Sequence, residues 1–321
     1  MKIFVLGWYN HHNVGDESYK TTFPKLFKSH TLTFSDKISD LKDESLIILG
    51  GGNILKKYFI DELKKVNNKR IIGFSIGMEE NIEIPDNLFE HIYARDFKTI
   101  ELLKSKNIPC SYVPDAAFCL EPKETNYINN HLKSENLDVC SKKITVVLNS
   151  YILYNNSNSL SRDFINFHKF SNDFTKIIDE NNHNFIFLPF GTSMPVDDRT
   201  INSWVASKCK YHKKNLIIFD RINYQECLNI IYSSDLVIST RLHSSIFSFI
   251  SGTPFIDITH HSKNEEFLKT IKKEENSISF WDFNSYKMKS LINNLIGKKH
   301  KEYLYYQEKL QEVANAIYFG E

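Results

Sequence analysis

The sequence predicts an α/β protein of two doubly wound, Rossmann-like domains facing a cleft, and three observations carry that expectation. Short apolar runs alternate with longer amphipathic stretches at the spacing of βα units feeding parallel sheets. The chain has 321 residues, 41% of them hydrophobic, which suits two ordinary domains better than one. Its 11 glycines are few, and Gly7, Gly15, Gly50, Gly51, Gly52, Gly73 and Gly77 fall early, where apolar runs end and strands would open into loops.

Taken in order, Ile3–Leu6, Thr31–Phe34, Leu46–Leu49, Arg70–Ser75 and Ser111–Val113 read as the first set of strands. Helices fit between them at Asp16–Phe27, Lys57–Val66 and Asp96–Ser105, and Tyr93-Ala94-Arg95-Asp96 is a strand-like piece running into the last of these. The stretch from Glu121 to Lys143 is polar and loses periodicity, so the junction is expected there. The first domain would then cover residues 1–133, with a linker at 134–142 and a second domain at 143–299. In that second domain Ile144–Leu148, Asn184–Pro189, Asn215–Phe219, Leu236–Thr240 and Pro254–Ile258 read as strands. Helices are expected near Phe164–Asp179, Tyr224–Tyr232, Leu242–Ser251 and Asn264–Lys273. Near-continuous apolar strands of this kind belong to parallel sheets covered on both faces. Residues 300–321 form a charged helical tail that could pack back on the first domain.

Composition closes several functional classes. Lys+Arg number 40 against 39 Asp+Glu, so no global field draws the protein to nucleic acid. The apolar runs are far shorter than the roughly 18–20 residues a membrane-spanning helix needs, and the first seven residues lack the length of a secretory core and a cleavage site. Five cysteines, odd in number and without a C-x-x-C pair, argue against a disulfide framework or zinc knuckle. A cytoplasmic protein is expected. The run Lys298-Lys299-His300-Lys301 with Tyr303, Tyr305 and Tyr306 reads as a solvated helix face, with peripheral membrane contact at the inner face as the alternative.

The most informative segment runs from Asp235 to Pro254. A buried strand enters a helix with no loop between them, Ser239 or Thr240 is placed to cap it, and Leu242, Ile246, Phe249 and Ile250 form its core stripe. Arg241 and His243 thus fall in the first turn, where free backbone N–H groups and the helix dipole favour an anion. Arg241 adds a planar fork suited to phosphate or carboxylate, and Ser244, Ser245 and Ser248 share its small polar face. Lys263, just before the next helix, would supply a further cation. The plainer alternative pairs Arg241 with Asp235 and buries His243 as a core histidine.

At the other end Gly7–Glu17 is the first strand-to-helix connection. Asp16 serves as a cap, Glu17 as a favourable first-turn charge, and either carboxylate could also orient or deprotonate a hydroxyl. Gly50-Gly51-Gly52-Asn53 ends the next strand; it lacks the G-x-G-x-x-G spacing but lets backbone approach a ligand. Arg95 with Asp96 is expected as a structural pair, and Asp115 stands at the rim. His11-His12 and His260-His261 look like metal bait, yet adjacent side chains diverge and no ligand set of recognised spacing accompanies them. No metal and no organic cofactor is expected.

Together Asn13-x-Gly15-Asp16-Glu17, Gly50-Gly51-Gly52, Arg95-Asp96, Asp115-x-Ala117-Phe118 and Ser239-Thr240-Arg241-Leu242-His243 through Gly252-Thr253-Pro254 resemble the polysaccharide pyruvyl transferase family. The likeness is one of order and spacing up to about Lys263. One departure is His260, where the family often has Tyr. The resemblance implies a glycosyltransferase B-type fold and transfer of pyruvate from phosphoenolpyruvate to a sugar or lipid-linked saccharide, usually as a cyclic ketal. It implies His243 and Asp16 as catalytic groups, with Arg241, Ser244, Lys263 and Arg95 on the donor and Asn13, Glu17, Gly51 and Asn53 on the acceptor. Two rivals stand beside it: a nucleotide-sugar glycosyltransferase, for which Glu266 and Glu274 show an E-x7-E spacing, and a non-catalytic sugar-binding protein.

Overall fold

In the computed structural model, which describes residues 1–153, 160–194, 196–210 and 214–317, the first six strands form one parallel sheet. They are β1 (Lys2–Leu6), β2 (Thr31–Ser35), β3 (Leu46–Gly52), β4 (Arg70–Ile76), β5 (His91–Ala94) and β6 (Cys110–Tyr112), in the order β2-β1-β3-β4-β5-β6. The order reverses between β1 and β3, whose carboxyl ends are Leu6 and the Gly50–Gly52 run. Ligands bind at such a switch point in open α/β sheets.

One face of this sheet is covered by α1 (Val14–Leu26), which packs Phe23 against Phe34 and Phe74. Each fully buried ring contributes about 1.5–3 kcal/mol. On the other face Phe4, Leu6, Ile47, Leu49 and Ile92 join Phe59, Ile60 and Leu63 of α2 (Lys57–Leu63) and Ile100 and Leu103 of α3 (Phe97–Lys104). Gly50 leaves room for Phe23, because a side chain there would run into its ring.

The chain divides into two compact units, and the boundary after Leu120 lies at the start of the polar stretch rather than near residue 133. That stretch contains α4 (Tyr127–Ser134), which buries Ile128 and Leu132; two apolar residues one turn apart were too weak a period to announce it. The second unit's sheet comprises β7 (Lys143–Val147), β8 (Asn184–Phe187), β11 (Asn215–Ile217), β12 (Leu236–Ser239), β13 (Phe255–Thr259) and β14 (Ser277–Ser279), ordered β11-β8-β7-β12-β13-β14. Its reversal falls between β7 and β12, paired Val147 to Ser239. A small antiparallel ribbon, β9 (Thr192–Ser193) with β10 (Val196–Asp197), leads into α6 (Asp198–Ser207).

Helix α5 (Leu160–Glu180) joins α6 and α10 (Ser285–Leu295) over one face, with Phe167, Phe170, Phe174, Val205, Met288 and Ile292 in the core. The other face carries α7 (Tyr224–Tyr232), α8 (Leu242–Ile250) and α9 (Ser262–Ile271). The final helix α11 (Tyr303–Ala316) belongs to the first unit: Gln307 donates to the Phe118 carbonyl at 2.9 Å and Tyr306 meets the Phe118 ring. Residues 318–321 of the expected tail lie outside the described residues. Among those described, no helix is long and apolar enough to cross a membrane.

Candidate functional site

At the second unit's switch point β12 passes into α8 through Thr240 and Arg241. Neither Ser239 nor Thr240 caps the helix, as the sequence suggested. Arg241 occupies the cap position in an extended conformation and places no side-chain oxygen there. Ser239 instead folds the turn, its Oγ accepting from Arg241 N at 2.9 Å and from Ser244 Oγ at 2.6 Å. Thr240 Oγ1 accepts from Asn149 N at 2.7 Å. Ser244, expected on the donor, is fully buried with its hydroxyl committed to Ser239, so it shapes the turn.

The partner of Arg241 is Asp198 rather than Asp235. Arg241 Nη2 stands 2.6 Å from Asp198 Oδ1, whereas Asp235 pairs with Lys142. Asp198 is fully buried and also accepts from the backbone N–H groups of Ser150, Phe190 and Gly191 at 3.1, 3.0 and 2.8 Å. One carboxylate therefore fixes Arg241 against the chain beyond β7 and β8. Gly191 makes the approach possible, since a Cβ there would lie 2.5 Å from Arg241 Nη2. Arg241 Nε is buried and has no hydrogen-bond partner among the described residues.

His243 lies half-buried in the first turn of α8. Lys263 is the second residue of α9, inside the helix rather than before it, and is also half-buried. Between these helices Asp257 of β13 accepts from Ser245 Oγ at 2.6 Å and from Asn264 Nδ2 at 2.9 Å. Complete burial raises its pKa to about 6, the two hydrogen bonds opposing this only partly. Glu266 is engaged by Lys269 at 2.9 Å, and Glu274 sits in a short 3₁₀ turn.

The first unit gathers a second polar group. Asn13, not Asp16, caps α1, accepting from Gly15 N at 3.2 Å; Asp16 and Glu17 lie in the first turn, where their charge favours the dipole. Glu17 holds Lys20 at 2.7 Å through one oxygen, while its Oε1 is buried without a hydrogen bond among the described residues. Gly51 adopts φ +74° against the Tyr19 ring, and a Cβ on Gly52 would stand 3.0 Å from Asp16 Oδ1.

Arg95, its side chain 6% exposed, pairs with Asp115 at 2.5 Å, and Asp96, which also favours the charge of Arg95, caps α3 through Thr99 N at 2.7 Å. Arg95 also donates to Asn53 Oδ1 at 2.7 Å and to Tyr19 Oη at 3.1 Å. Burial works against its charge, yet Tyr19 and Asp115 outweigh burial and raise its pKa. Tyr19 stays protonated, pushed well above its ordinary range first by burial and then by Asp115, and donates to Asp115 at 3.0 Å.

Thus Asn13, Asp16, Glu17, Gly51, Asn53 and Arg95 come together at one sheet's carboxyl edge, and Arg241, His243 and Lys263 belong to the other unit. His11 stacks on Trp8 and contacts Asp36 at 2.9 Å, while His12 is exposed. Among the described residues no group of three or more His, Cys, Asp or Glu is arranged to hold a metal ion. Sequence reasoning missed Asp198 as a site residue and gave His260 no role; Asp198 begins a helix behind a second aspartate, Asp197, which looks like ordinary capping.

Two parallel-sheet units of this kind define the glycosyltransferase B type of fold. Solved structures share it at low identity. The UDP-GlcNAc 2-epimerase of Neisseria meningitidis, bound to UDP-GlcNAc, is 10% identical with a TM-score of 0.61, covering 97% of this chain and 94% of its own. The UDP-GlcNAc 2-epimerase of Methanocaldococcus jannaschii is 12% identical with a TM-score of 0.61, covering 98% and 99%. The S. aureus MnaA–UDP structure is 9% identical with a TM-score of 0.59, covering 96% and 90%. The family model for polysaccharide pyruvyl transferase matches residues 8–262, and the chain belongs to that family of transferases.

Proposed function

We propose that this enzyme moves pyruvate from phosphoenolpyruvate to a sugar of a cell-surface polysaccharide or its precursor, forming a ketal at the cytoplasmic side of the membrane. The observation that supports it best is Arg241, held by Asp198 at the start of α8 with Nε unengaged and His243 two residues on. A small ligand bearing phosphate and carboxylate within a few bonds matches that charge.

In this reading His243 protonates the methylene carbon of the enol ether, giving an oxocarbenium-like centre. One sugar hydroxyl adds to the oxocarbenium carbon, a second displaces phosphate from that same carbon, and of the two hydroxyl protons released one replaces that given by His243 and the other leaves with phosphate. Arg241 and Lys263 are the donor-binding cations of the second unit, and Arg95 is that of the first. Asp16 acts as base, with Asn13, Glu17, Gly51 and Asn53 about the acceptor. General acid catalysis of this kind is worth roughly 10²–10⁴-fold. A lipid-linked saccharide is one form of the acceptor.

Thermal unfolding tests the donor. A ligand that binds only the folded state stabilises it by about 2.7 kcal/mol at a hundred times its dissociation constant, several degrees for units of this size. Millimolar phosphoenolpyruvate is expected to raise the melting temperature, and Arg241→Ala to abolish the shift. A shift with CMP, UDP or GDP and none with phosphoenolpyruvate would overturn the reading in favour of a nucleotide-sugar transferase.

A further inference from the structure

His260 follows directly on β13, the strand beside β12. It is 9% exposed, and among the described residues neither Nδ1 nor Nε2 has a partner at full hydrogen-bond geometry. A polar ring buried in this way forfeits its hydration with only the Ile258 backbone and the His261 ring beside it in exchange, so such residues are rare where only packing is at stake. Its electrostatic neighbours are His261 and Lys263 at the start of α9 and Arg241 at the start of α8. Burial first, and then these groups, drive its pKa well below the ordinary value, with the Ile258 carbonyl opposing them. The ring is therefore a neutral imidazole with one N–H to give.

Its surroundings point to what would take that hydrogen bond. Helices α8 and α9 begin at the ends of adjacent strands, and no side chain caps either one. Arg241 Nε is a second buried donor without a partner. Unpartnered donors, cationic neighbours and two helix starts converge on the same chemistry, that of an oxyanion.

We infer that His260 is a ligand-binding residue whose ring N–H donates to an oxyanion shared with Arg241 Nε and the starts of α8 and α9. This rests on the reading above, in which that oxyanion belongs to the phosphate or carboxylate of phosphoenolpyruvate, and adds a contact on β13 to those from α8 and α9. His260 fixes the donor and takes no part in proton transfer to carbon.

Two substitutions at His260 test the assignment, with inorganic phosphate and phosphoenolpyruvate as probes in thermal unfolding and steady-state kinetics. His260→Leu removes an unpaired buried dipole while keeping the volume. It is expected to melt no lower than wild type without ligand, yet to lose the phosphate-induced shift. Its KM for phosphoenolpyruvate should rise roughly ten- to hundredfold, the worth of one hydrogen bond to a charged group, with kcat changed less than about threefold. His260→Gln, which keeps a donor, should recover most of both. A His260→Leu protein that retains the phosphate shift and the KM would overturn the inference. So would one that melts well below wild type and is not rescued by Gln, because the ring would then be filling space. A wild-type protein that answers to UDP but not to phosphate or phosphoenolpyruvate refutes the pyruvyl reading alone, if His260→Leu loses the UDP response. If that variant keeps the UDP response, or if wild type answers to none of these anions, the inference fails as well.

Discussion

Arg241 and Asp198 meet at 2.6 Å across 43 residues of sequence, and the carboxylate that holds the guanidinium is itself fully buried among backbone N–H donors. The cation at the start of α8 is thus a fixed part of the fold rather than a mobile surface charge. Replacing Asp198 by Ala would leave that cation and three N–H groups without their acceptor. We expect a loss of about 3–5 kcal/mol, the usual cost of breaking a buried pair from one side, measured by equilibrium urea unfolding. A loss below 1 kcal/mol would mean that the pair is replaceable by solvent.

His243→Ala should lower kcat by roughly 10²–10⁴-fold with a smaller change in KM. The protein should unfold at nearly the wild-type temperature, since the ring is only half-buried. Steady-state kinetics with phosphoenolpyruvate check this, and near-normal turnover in the folded variant would remove His243 from its assigned role.

Asp257 sets a pH dependence of stability. Its carboxyl has an ordinary pKa of 3.8, raised in the fold to about 6, so between these values the native state holds the proton and the unfolded chain does not. Stability therefore falls as pH rises from about 4 to about 6 and is level above that. The difference corresponds to roughly 3 kcal/mol. Asp257→Asn should flatten the profile and stabilise the protein near pH 7, as read by denaturation at a series of pH values. An unchanged slope in the variant would assign the dependence to another group.

Arg95→Ala is expected to destabilise the first unit by about 3–5 kcal/mol, because Asp115 would lose its ion-pair partner in a buried site. Arg95→Ala with Asp115→Asn should recover part of the loss, since no uncompensated charge then remains. A double-mutant cycle gives the coupling directly, and additivity of the two changes would contradict a shared network.

Turnover should persist in excess EDTA. His11 is occupied by Trp8 and Asp36, and the proposed chemistry places its developing charge against Arg241, Lys263 and a helix start rather than clustered carboxylates. Loss of activity restored by one divalent ion would show otherwise.

Much of this architecture was legible because parallel strands buried on both faces announce themselves as apolar runs, from Ile3–Leu6 to Pro254–Ile258. That Arg241 and His243 stand at a helix start was equally plain, as that strand meets its helix with no intervening loop, although Arg241 is the cap residue and only His243 lies in the first turn. What stayed hidden was pairing. Asp235 is near Arg241 in sequence, whereas Asp198 reaches it only through the ribbon β9–β10 and the register of β7 and β12. The same holds for Arg95, whose ion pair with Asp115 comes from beyond β6, out of reach of local spacing. Local spacing shows which groups sit at strand ends, and only the assembled sheet shows which of them touch. Short β14 lacked the length to stand out and α4 the apolar period, whereas α6 and α10 went unread although Ile201, Trp204 and Val205, and Met288, Leu291, Ile292 and Leu295, stand at helical spacing.

Helix α11, which rests on Phe118 and α1 of the first unit, has a consequence for the order in which the protein is made. The six strands of that unit emerge from the ribosome first, but Leu310 and Ala314, both buried in its finished surface, emerge only after the whole of residues 121–302. The second unit is one uninterrupted stretch and can complete itself as soon as it is synthesised. The first must hold a partly uncovered apolar flank through that interval, so the unit begun earliest is the one completed last.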